Sequence, residues 1–304
     1  MNKEHSRAYL ALAVVCIVWG TTYLGMRIGV ETFPPLLFSG IRHTSAALIL
    51  FIFLRSSGRF SAFSGRDILR QVIPGVLMIT LGNGLIGWSE RYIPSGLAAL
   101  ITSVMPVYVL GINFATGIDR KIPHPLVLLG LLLGCAGIML IFKDNLKDLG
   151  NTAYLSAVLL AFLGALSWAA GSVFAKHKPT KSNALSNATL QLGSGGLALL
   201  FSGMLFDDTS ELRHISPESI YALLYLILFG SLLSFACYLY ALEKLPVALV
   251  SVYAYINPFI ALALGAVVLN EKITGITALA LLSTLSGVYF INKGYAVKPK
   301  LKTA

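Results

Sequence analysis

Arg42 lies inside an apolar stretch, GIRHTSAALIL. It stands about nine residues into the apolar run at about 33–54 that contains this segment, which at roughly 1.5 Å per residue approaches the middle of a bilayer. An ionisable side chain at that depth is costly and is a functional candidate by default. Its other role would be to hydrogen-bond helix carbonyls and fix packing. The neighbouring His43 projects from another side of the same helix and reads as a packing residue. Aromatic and amide groups recur at similar depth. Trp19 and Tyr23 are four residues apart and share a helix face, as do Trp168 and Ser172, and Tyr253 and Asn257. Pro258 follows Asn257 and predicts a broken helix there, where freed backbone groups survive in lipid by lining a cavity. Asn83, Trp88 and Tyr238 complete a polar-aromatic set that suits an amphiphilic solute with an apolar side chain.

Charges at the ends of apolar stretches form a second set. Arg27 follows Trp19 by eight residues, and Lys176 follows Trp168 by the same interval. Asp119 and Glu271 occupy comparable places after Pro106 and Pro258. They are candidate gates, Arg27 with Glu271 at the outer face and Lys176 with Asp119 at the inner. Equally, all four read as interfacial anchors, since charges at helix ends snorkel to the headgroups.

Several chemistries are missing. The sequence has no HExxH, GxSxG or Walker motif and no His/Cys cluster, so no metal, cofactor or enzymatic role is expected. The 13 acidic residues fall at or near span ends or in loops. That leaves no mid-membrane carboxylate for ordinary proton or sodium coupling. Cys16, Cys135 and Cys237 lie within apolar stretches and read as small core residues.

The elements that position these side chains are apolar helices. The chain has 304 residues, 56% hydrophobic and 12% charged, where a soluble domain carries roughly a quarter charged residues. A span needs about 20 mostly apolar residues. Ten such stretches occur, at about 8–28, 33–54, 70–91, 94–117, 124–142, 153–175, 184–205, 217–241, 246–269 and 273–292. The first is too long for a signal-peptide core and has no cleavage motif, so it reads as a retained span.

Of the 23 Lys and Arg residues, sixteen fall in the loops of one side if both ends share that side. The positive-inside rule then makes both termini cytoplasmic, and the net charge of +10 needs no nucleic-acid partner. The chain also repeats itself. WGTTYLGMR around Trp19 is echoed by WAAGSVFAK around Trp168, and Pro94 and Pro106 by Pro246 and Pro258. Five spans per half invert the second copy, and inverted repeats of this kind place a substrate site between them. The expected architecture is therefore an all-α membrane protein of ten transmembrane helices in two inverted five-helix repeats. The repeats cover 8–149 and 150–293, followed by a basic tail at 294–304.

The motifs WGTTYLGMR, GIRHTSAALIL, WSERYIPSGLAALITSVMP and YAYINPFIALALGAVVLNEKIT resemble the EamA family of the drug/metabolite transporter superfamily. The resemblance runs from about Tyr9 to Lys293. It implies a ten-helix bundle in the bacterial inner membrane that exports small metabolites, amino acids or drugs. Where the family often has Gly-Glu-Arg, this chain has Gly117, Ile118, Asp119 and Arg120. The expected partners are a small-molecule substrate and the lipid bilayer, and the expected mechanism is alternating access. A channel would need a polar stripe along several helices, and a lipid-modifying enzyme a convergent acid/base or metal set; neither pattern is present.

A guanidinium facing hydrocarbon costs at least ~2.5 kcal/mol, so Arg42 is expected to face the bundle interior. In a chain freed of its three native cysteines, a cysteine at position 42 should react with a water-soluble thiol reagent. Labelling from the lipid phase alone would refute the interior assignment.

Overall fold

In a stretch this apolar every backbone N–H and C=O must be satisfied within the segment, and the helix is the local way to do so. The computed structural model describes residues 3–118, 124–144, 150–251 and 253–296. Among them the regular structure is all helical. The elements are α1 (Lys3–Gly29), α2 (Pro35–Ser56), α3 (Gly65–Ser89), α4 (Ser95–Ala115), α5 (Pro125–Asp144) and α6 (Thr152–His177), then α7 (Ala184–Phe206), α8 (Pro217–Lys244), α9 (Val247–Val250), α10 (Tyr253–Leu269) and α11 (Gly275–Ala296). Seven of them, α1 to α4 and α6 to α8, are long and apolar enough to cross a membrane. Three shorter apolar stretches are Pro125–Gly137, Ile256–Leu269 and Gly275–Ile291. The expected tail at 294–304 lies largely outside the described residues, as does Asp119.

Helix boundaries follow local chemistry. Pro35, Pro125 and Pro217 open their helices, and Pro94 and Pro246 immediately precede theirs, where a missing N–H costs nothing. Asn183 and Ser216 cap α7 and α8 through side-chain oxygens that accept the Ser186 and Ser219 N–H groups at 2.8 and 3.2 Å. The start of α2 is held from a distance, because Asp207 Oδ2 accepts the Leu37 N–H at 2.8 Å. Half-burial pushes the Asp207 carboxyl above its ordinary range, and the Leu37 N–H opposes that shift.

Two helices carry the same irregularity. α3 is π-helical over Val76–Asn83 and α8 over Leu226–Leu233. A widened turn frees carbonyls from the helix ladder, and other helices use them. The Ser167 hydroxyl donates to the Leu77 carbonyl at 2.8 Å, and Trp19 Nε1 donates to the Gly230 carbonyl at 3.1 Å. α4 is interrupted at Ser103 and Val104, with Pro106 in the first turn after the break. The second half differs from expectation. α10 runs unbroken through Pro258, and a turn interrupts the segment earlier, at Ser251.

Loops gather in two sets at opposite ends of the bundle. At one end Thr32 meets Ser216 and Ser219, Arg91 pairs with Glu211, and Glu271 reaches Ser95. Hydrogen bonding to Glu211 raises the Arg91 pKa. At the other end Asn183 donates to the Arg59 carbonyl, and Arg70 to that of Pro179. Between the two ends the outer surface is apolar, with Leu48, Ile52, Leu132, Phe201 and Val267 exposed. A belt of this extent faces lipid or a partner and not water. Cys16 is buried, but Cys135 is exposed on this surface, which corrects its reading as a core residue.

α5 and α11 approach backbone to backbone through glycine. A Cβ on Gly130 would run into the Gly287 carbonyl, and one on Gly287 would meet the Gly134 nitrogen at 2.7 Å. A Cβ on Gly134 itself would meet nothing within 4 Å. Gly29 instead makes room for the Phe38 ring, and Gly25 for Leu226. Gly287→Val should therefore destabilise the protein by about 1–3 kcal/mol through overpacking, whereas Gly134→Ala should be near neutral. Thermal unfolding of the two variants in detergent checks the contrast; equal shifts would refute the backbone contact.

Candidate functional site

Seven helices meet around a cavity of about 70 Å³. α1 supplies Trp19 and Tyr23, α2 Arg42 and His43, α3 Asn83, α6 Trp168, and α10 Tyr253 and Asn257. Glu90 enters at the end of α3, Thr102 and Met105 flank the break in α4, and Gly230 and Phe235 belong to α8. The space holds a few waters and is far below the roughly 300–1,000 Å³ of a drug-sized pocket. In this conformation the walls leave no room for a drug-sized molecule.

The aromatic wall is built edge to face. The Trp19 ring stands at 87° to that of Trp168, with centroids 5.3 Å apart, and at 86° to that of Tyr253, at 4.8 Å. The i,i+4 spacings deliver these rings to one side of α1, α6 and α10. Tyr238 packs behind them, 5.0 Å from Trp19 and 5.9 Å from Trp168. Its hydroxyl shares a hydrogen bond of 2.7 Å with Ser172, which donates to the Trp168 carbonyl. Tyr238 and Ser172 therefore support the wall from outside the cavity. Trp88 is not brought to the cavity at all; it packs against Tyr92, with ring centroids 4.8 Å apart and planes tilted by 44°, among Ile93, Ala98 and Ala157.

Arg42 is 3% exposed and lies about seven residues, or roughly 10 Å, into α2. Its Nε–H donates to Ser231 Oγ at 2.8 Å, and Nη1 lies 3.8 Å from the Met26 sulfur. Ser231 Oγ also sits 3.2 Å from His43 Nδ1. With two lone pairs and one hydrogen, the serine hydroxyl can serve Arg42 and His43 at once. His43 thus belongs to the Arg42 site through Ser231, correcting its reading as a packing residue turned elsewhere. The π-helical segment of α8 places Ser231, and Gly230 leaves room for the guanidinium: a Cβ there would stand 2.9 Å from Nη2.

Glu90 is the residue that sequence reasoning missed. It closes α3 beside Arg91 and Pro94 and reads as part of a charged hinge. The structure turns it inward: it is fully buried, lines the cavity, and neither carboxylate oxygen has a hydrogen-bond partner. A signal was present, because Asn83 and Glu90 are seven residues apart and so share a helix face. A carboxylate at a span end can thus reach the interior, which the expectation of no interior carboxylate overlooked.

Three of the four candidate gate residues have other partners in this conformation. Arg27 Nη1 donates to the carbonyls of Glu90 and Arg91, the latter at 2.8 Å. Lys176 Nζ donates to the carbonyls of Leu242, Glu243 and Leu245 at 2.7, 3.2 and 3.1 Å. The two cations thus do the same thing in the two halves: each collects the orphan carbonyls where a helix ends before a proline. Glu271 accepts from the Ser95 N–H at 3.0 Å and from its hydroxyl, anchoring the start of α4. Lys176 also borders a second, larger cleft of about 1030 Å³ with Arg59, Lys181 and Lys244. Of the inner pair, Asp119 lies outside the described residues. Among the described residues no His/Cys/Asp/Glu group has the form of a metal site.

Comparison with known proteins adds the following. The model of the EamA-like transporter family matches residues 6–143 and again 155–293. An uncharacterized inner membrane transporter of Escherichia coli, YedA, is 30% identical over 95% of this chain and 92% of its own. A probable amino-acid metabolite efflux pump of the same species is 23% identical over 92% of each. The uncharacterized transporter YoaV of Bacillus subtilis is 25% identical, covering 93% of this chain and 96% of its own. One solved crystal structure superposes with a TM-score of 0.70 at 17% identity, over 95% of this chain and 98% of the other, a likeness of fold alone.

Arg27→Met removes the donor from two helix-end carbonyls and should destabilise the protein by about 1.5–3 kcal/mol. Arg27→Lys should recover most of that, since Lys176 performs the same task in the other half. Thermal unfolding in detergent checks the order; a methionine variant as stable as wild type would remove this role from Arg27.

Proposed function

Because the chain belongs to the EamA-like transporter family, we propose that it is an inner-membrane secondary transporter that exports small metabolites by alternating access through the central cavity. The family and its relatives' names point to transport and not to an enzyme. The observation that carries the reading is the cavity itself. It holds buried charge and amide groups behind aromatic walls, and both halves of the chain line it.

Alternating access requires barriers on both sides of such a site. α8 is consistent with this, since Phe235 lines the cavity, Leu239 and Leu242 line the larger cleft, and Tyr238 lies between. The rings of Trp19, Trp168, Tyr238 and Tyr253 then form the partition toward the cleft. On the opposite side Glu90, Arg27 and the Arg91–Glu211 pair, at 2.5 Å, form the roof. In this reading Trp19, Tyr23, Arg42, Asn83, Trp168, Tyr253 and Asn257 touch the solute, with Ser172 and Tyr238 behind them. Arg27, Lys176 and Glu271 gate by holding and releasing helix ends, and Asp119 completes the inner set.

The architecture proposed for this mechanism is ten transmembrane helices in two inverted repeats, 8–149 and 150–293. α5 and α11, with 20 and 22 residues, reach roughly 30 Å and more, enough to span. α9 with α10 makes the remaining span around its interruption. The basic cleft lies in the cytoplasm with both termini, in keeping with the positive-inside rule. The name of the amino-acid metabolite efflux relative brings amino acids and their derivatives to the head of the candidate solutes.

Reconstitution in liposomes with a panel of labelled metabolites and drugs tests the proposal. At least one solute should show saturable uptake that is accelerated by unlabelled solute on the opposite side. Asn257→Leu should cut that exchange by roughly tenfold, the cost of one or two lost polar contacts. Uptake without acceleration would indicate a channel, and no uptake of any solute would overturn the reading.

A further inference from the structure

The cleft of about 1030 Å³ bordered by Lys176 shares no lining residue with the central cavity. Two loops reach it, 57–64 before α3 and 178–183 before α7. They are tied together. Asn183 Nδ2 donates to the Arg59 carbonyl at 3.0 Å and to Ser61 Oγ at 2.9 Å, and Ser186 Oγ accepts the Ser61 N–H at 3.0 Å. The tie brings Arg59 and Lys181 to the same space, which Lys176, Lys244 and the acidic Glu243 also line. Lys244 pairs with Glu243 at 3.0 Å, and Lys176 is engaged with helix-end carbonyls. Arg59 and Lys181 are exposed and enter no ion pair among the described residues. Deeper, about seven residues or roughly 10 Å along α7, Gln191 lines the same cleft with Gln71 of α3, although they are only 1% and 2% exposed. Gln191 Nε2 donates to Gln71 Oε1, which leaves Gln191 Oε1 buried without a partner.

We propose that this cleft is a binding site for a phosphate ester that also carries hydroxyl groups. Arg59 and Lys181 receive the phosphate, and Gln191 Oε1 accepts from a hydroxyl. Guanidinium and ammonium groups both bind phosphate through charge-assisted hydrogen bonds. A buried acceptor left without a donor costs about 1–3 kcal/mol, which a ligand hydroxyl would recover. Inorganic phosphate meets the cations but is too small to reach from them to an amide roughly 10 Å along the helix. An uncharged polyol reaches the amide and leaves the cations unused. A molecule with both groups serves both ends, and Leu54, Leu185 and Leu239 give its carbon skeleton an apolar wall. Two sources carry this chemistry, a phospholipid with a hydroxylated headgroup and a soluble glycerol or sugar phosphate. Basic clefts between transmembrane helices on the cytoplasmic side hold anionic headgroups, and the proposed orientation puts this cleft on that side. The site does not depend on the central cavity being a transport path.

Isothermal titration calorimetry of the full chain, stripped of lipid in an uncharged detergent, tests the site. Glycerol phosphate and glucose phosphate probe the soluble source, with inorganic phosphate as their control. Short-chain phosphatidylglycerol probes the lipid source, with short-chain phosphatidylcholine, which lacks free hydroxyls, as its control. At least one probe should bind about tenfold more tightly than its control, the value of a hydrogen bond to a buried acceptor. Tight binding of a soluble ester assigns the site to soluble ligands, and tight binding of phosphatidylglycerol alone assigns it to lipid; each supports the proposal. Arg59→Gln combined with Lys181→Gln should weaken the probe by about ten- to a hundredfold, the range of a lost charged hydrogen bond. Both side chains are exposed, so the fold should be kept. Gln191→Met should bring the probe down to its control and leave the control unchanged. If Gln191→Met fails to fold, the ratio of probe to control in the wild type still decides. No binding of any probe, controls as tight as their probes, or full affinity in the double variant would overturn the proposal. The readout is binding alone, so none of these outcomes bears on the transport reading.

Discussion

A guanidinium placed in the interior of an apolar bundle must be solvated by the protein, and the centre of this molecule is arranged around that requirement. Arg42, 3% exposed a third of the way along α2, meets little more than the small cavity, and facing lipid would cost several kcal/mol. It is met by Ser231, which is held in position by a widened turn of α8 and also contacts His43. The same turn exposes the Gly230 carbonyl to Trp19. One irregular segment therefore supports both the charge and the aromatic wall beside it. In a regular helix the Gly230 carbonyl would be spent on its own ladder.

The second organising feature is repetition. α3 and α8 carry equivalent π-helical segments, and both end just before a proline. At each end a cation from another helix gathers the free carbonyls: Arg27 in the first half and Lys176 in the second. Such ends are polar and otherwise unsatisfied, so a donor there is worth more than an exposed ion pair. The halves differ at the centre. Arg42, His43 and Glu90 all come from the first, whereas Ser231, Tyr253 and Asn257 come from the second. A duplicated scaffold thus encloses a cavity whose lining is not itself symmetric.

Much was legible in the chain. The apolar stretches, their length and their proline boundaries dictated helices, because lipid leaves the backbone no other local solution. The repetition of WGTTYLGMR in WAAGSVFAK, with the paired prolines, indicated two related halves. The depth of Arg42 and the i,i+4 spacing of Trp19 with Tyr23, and of Tyr253 with Asn257, indicated an interior polar-aromatic cluster, since side chains on one face of a helix at one depth have few places to go.

What only the tertiary structure decided was the partner of each group. Glu90 looked like a hinge charge because its neighbours are Arg91 and Pro94. Its direction is set by the face of α3 that packs inward, and sequence adjacency says nothing of that. His43 was read apart from Arg42 because consecutive helix residues diverge by about 100°, yet Ser231 from a distant helix bridges both. Arg27, Lys176 and Glu271 have the right charges for gates, but Arg27 and Lys176 bind backbone carbonyls and Glu271 binds the Ser95 N–H and hydroxyl, and backbone atoms occur at every position, so a sequence never marks them. Pro258 was a plausible breaking point, yet the helix passes through it, and the turn at Ser251 interrupts the segment instead. Periodicity and hydropathy determine which face of each helix turns inward; which side chains then meet depends on how those helices pack against one another.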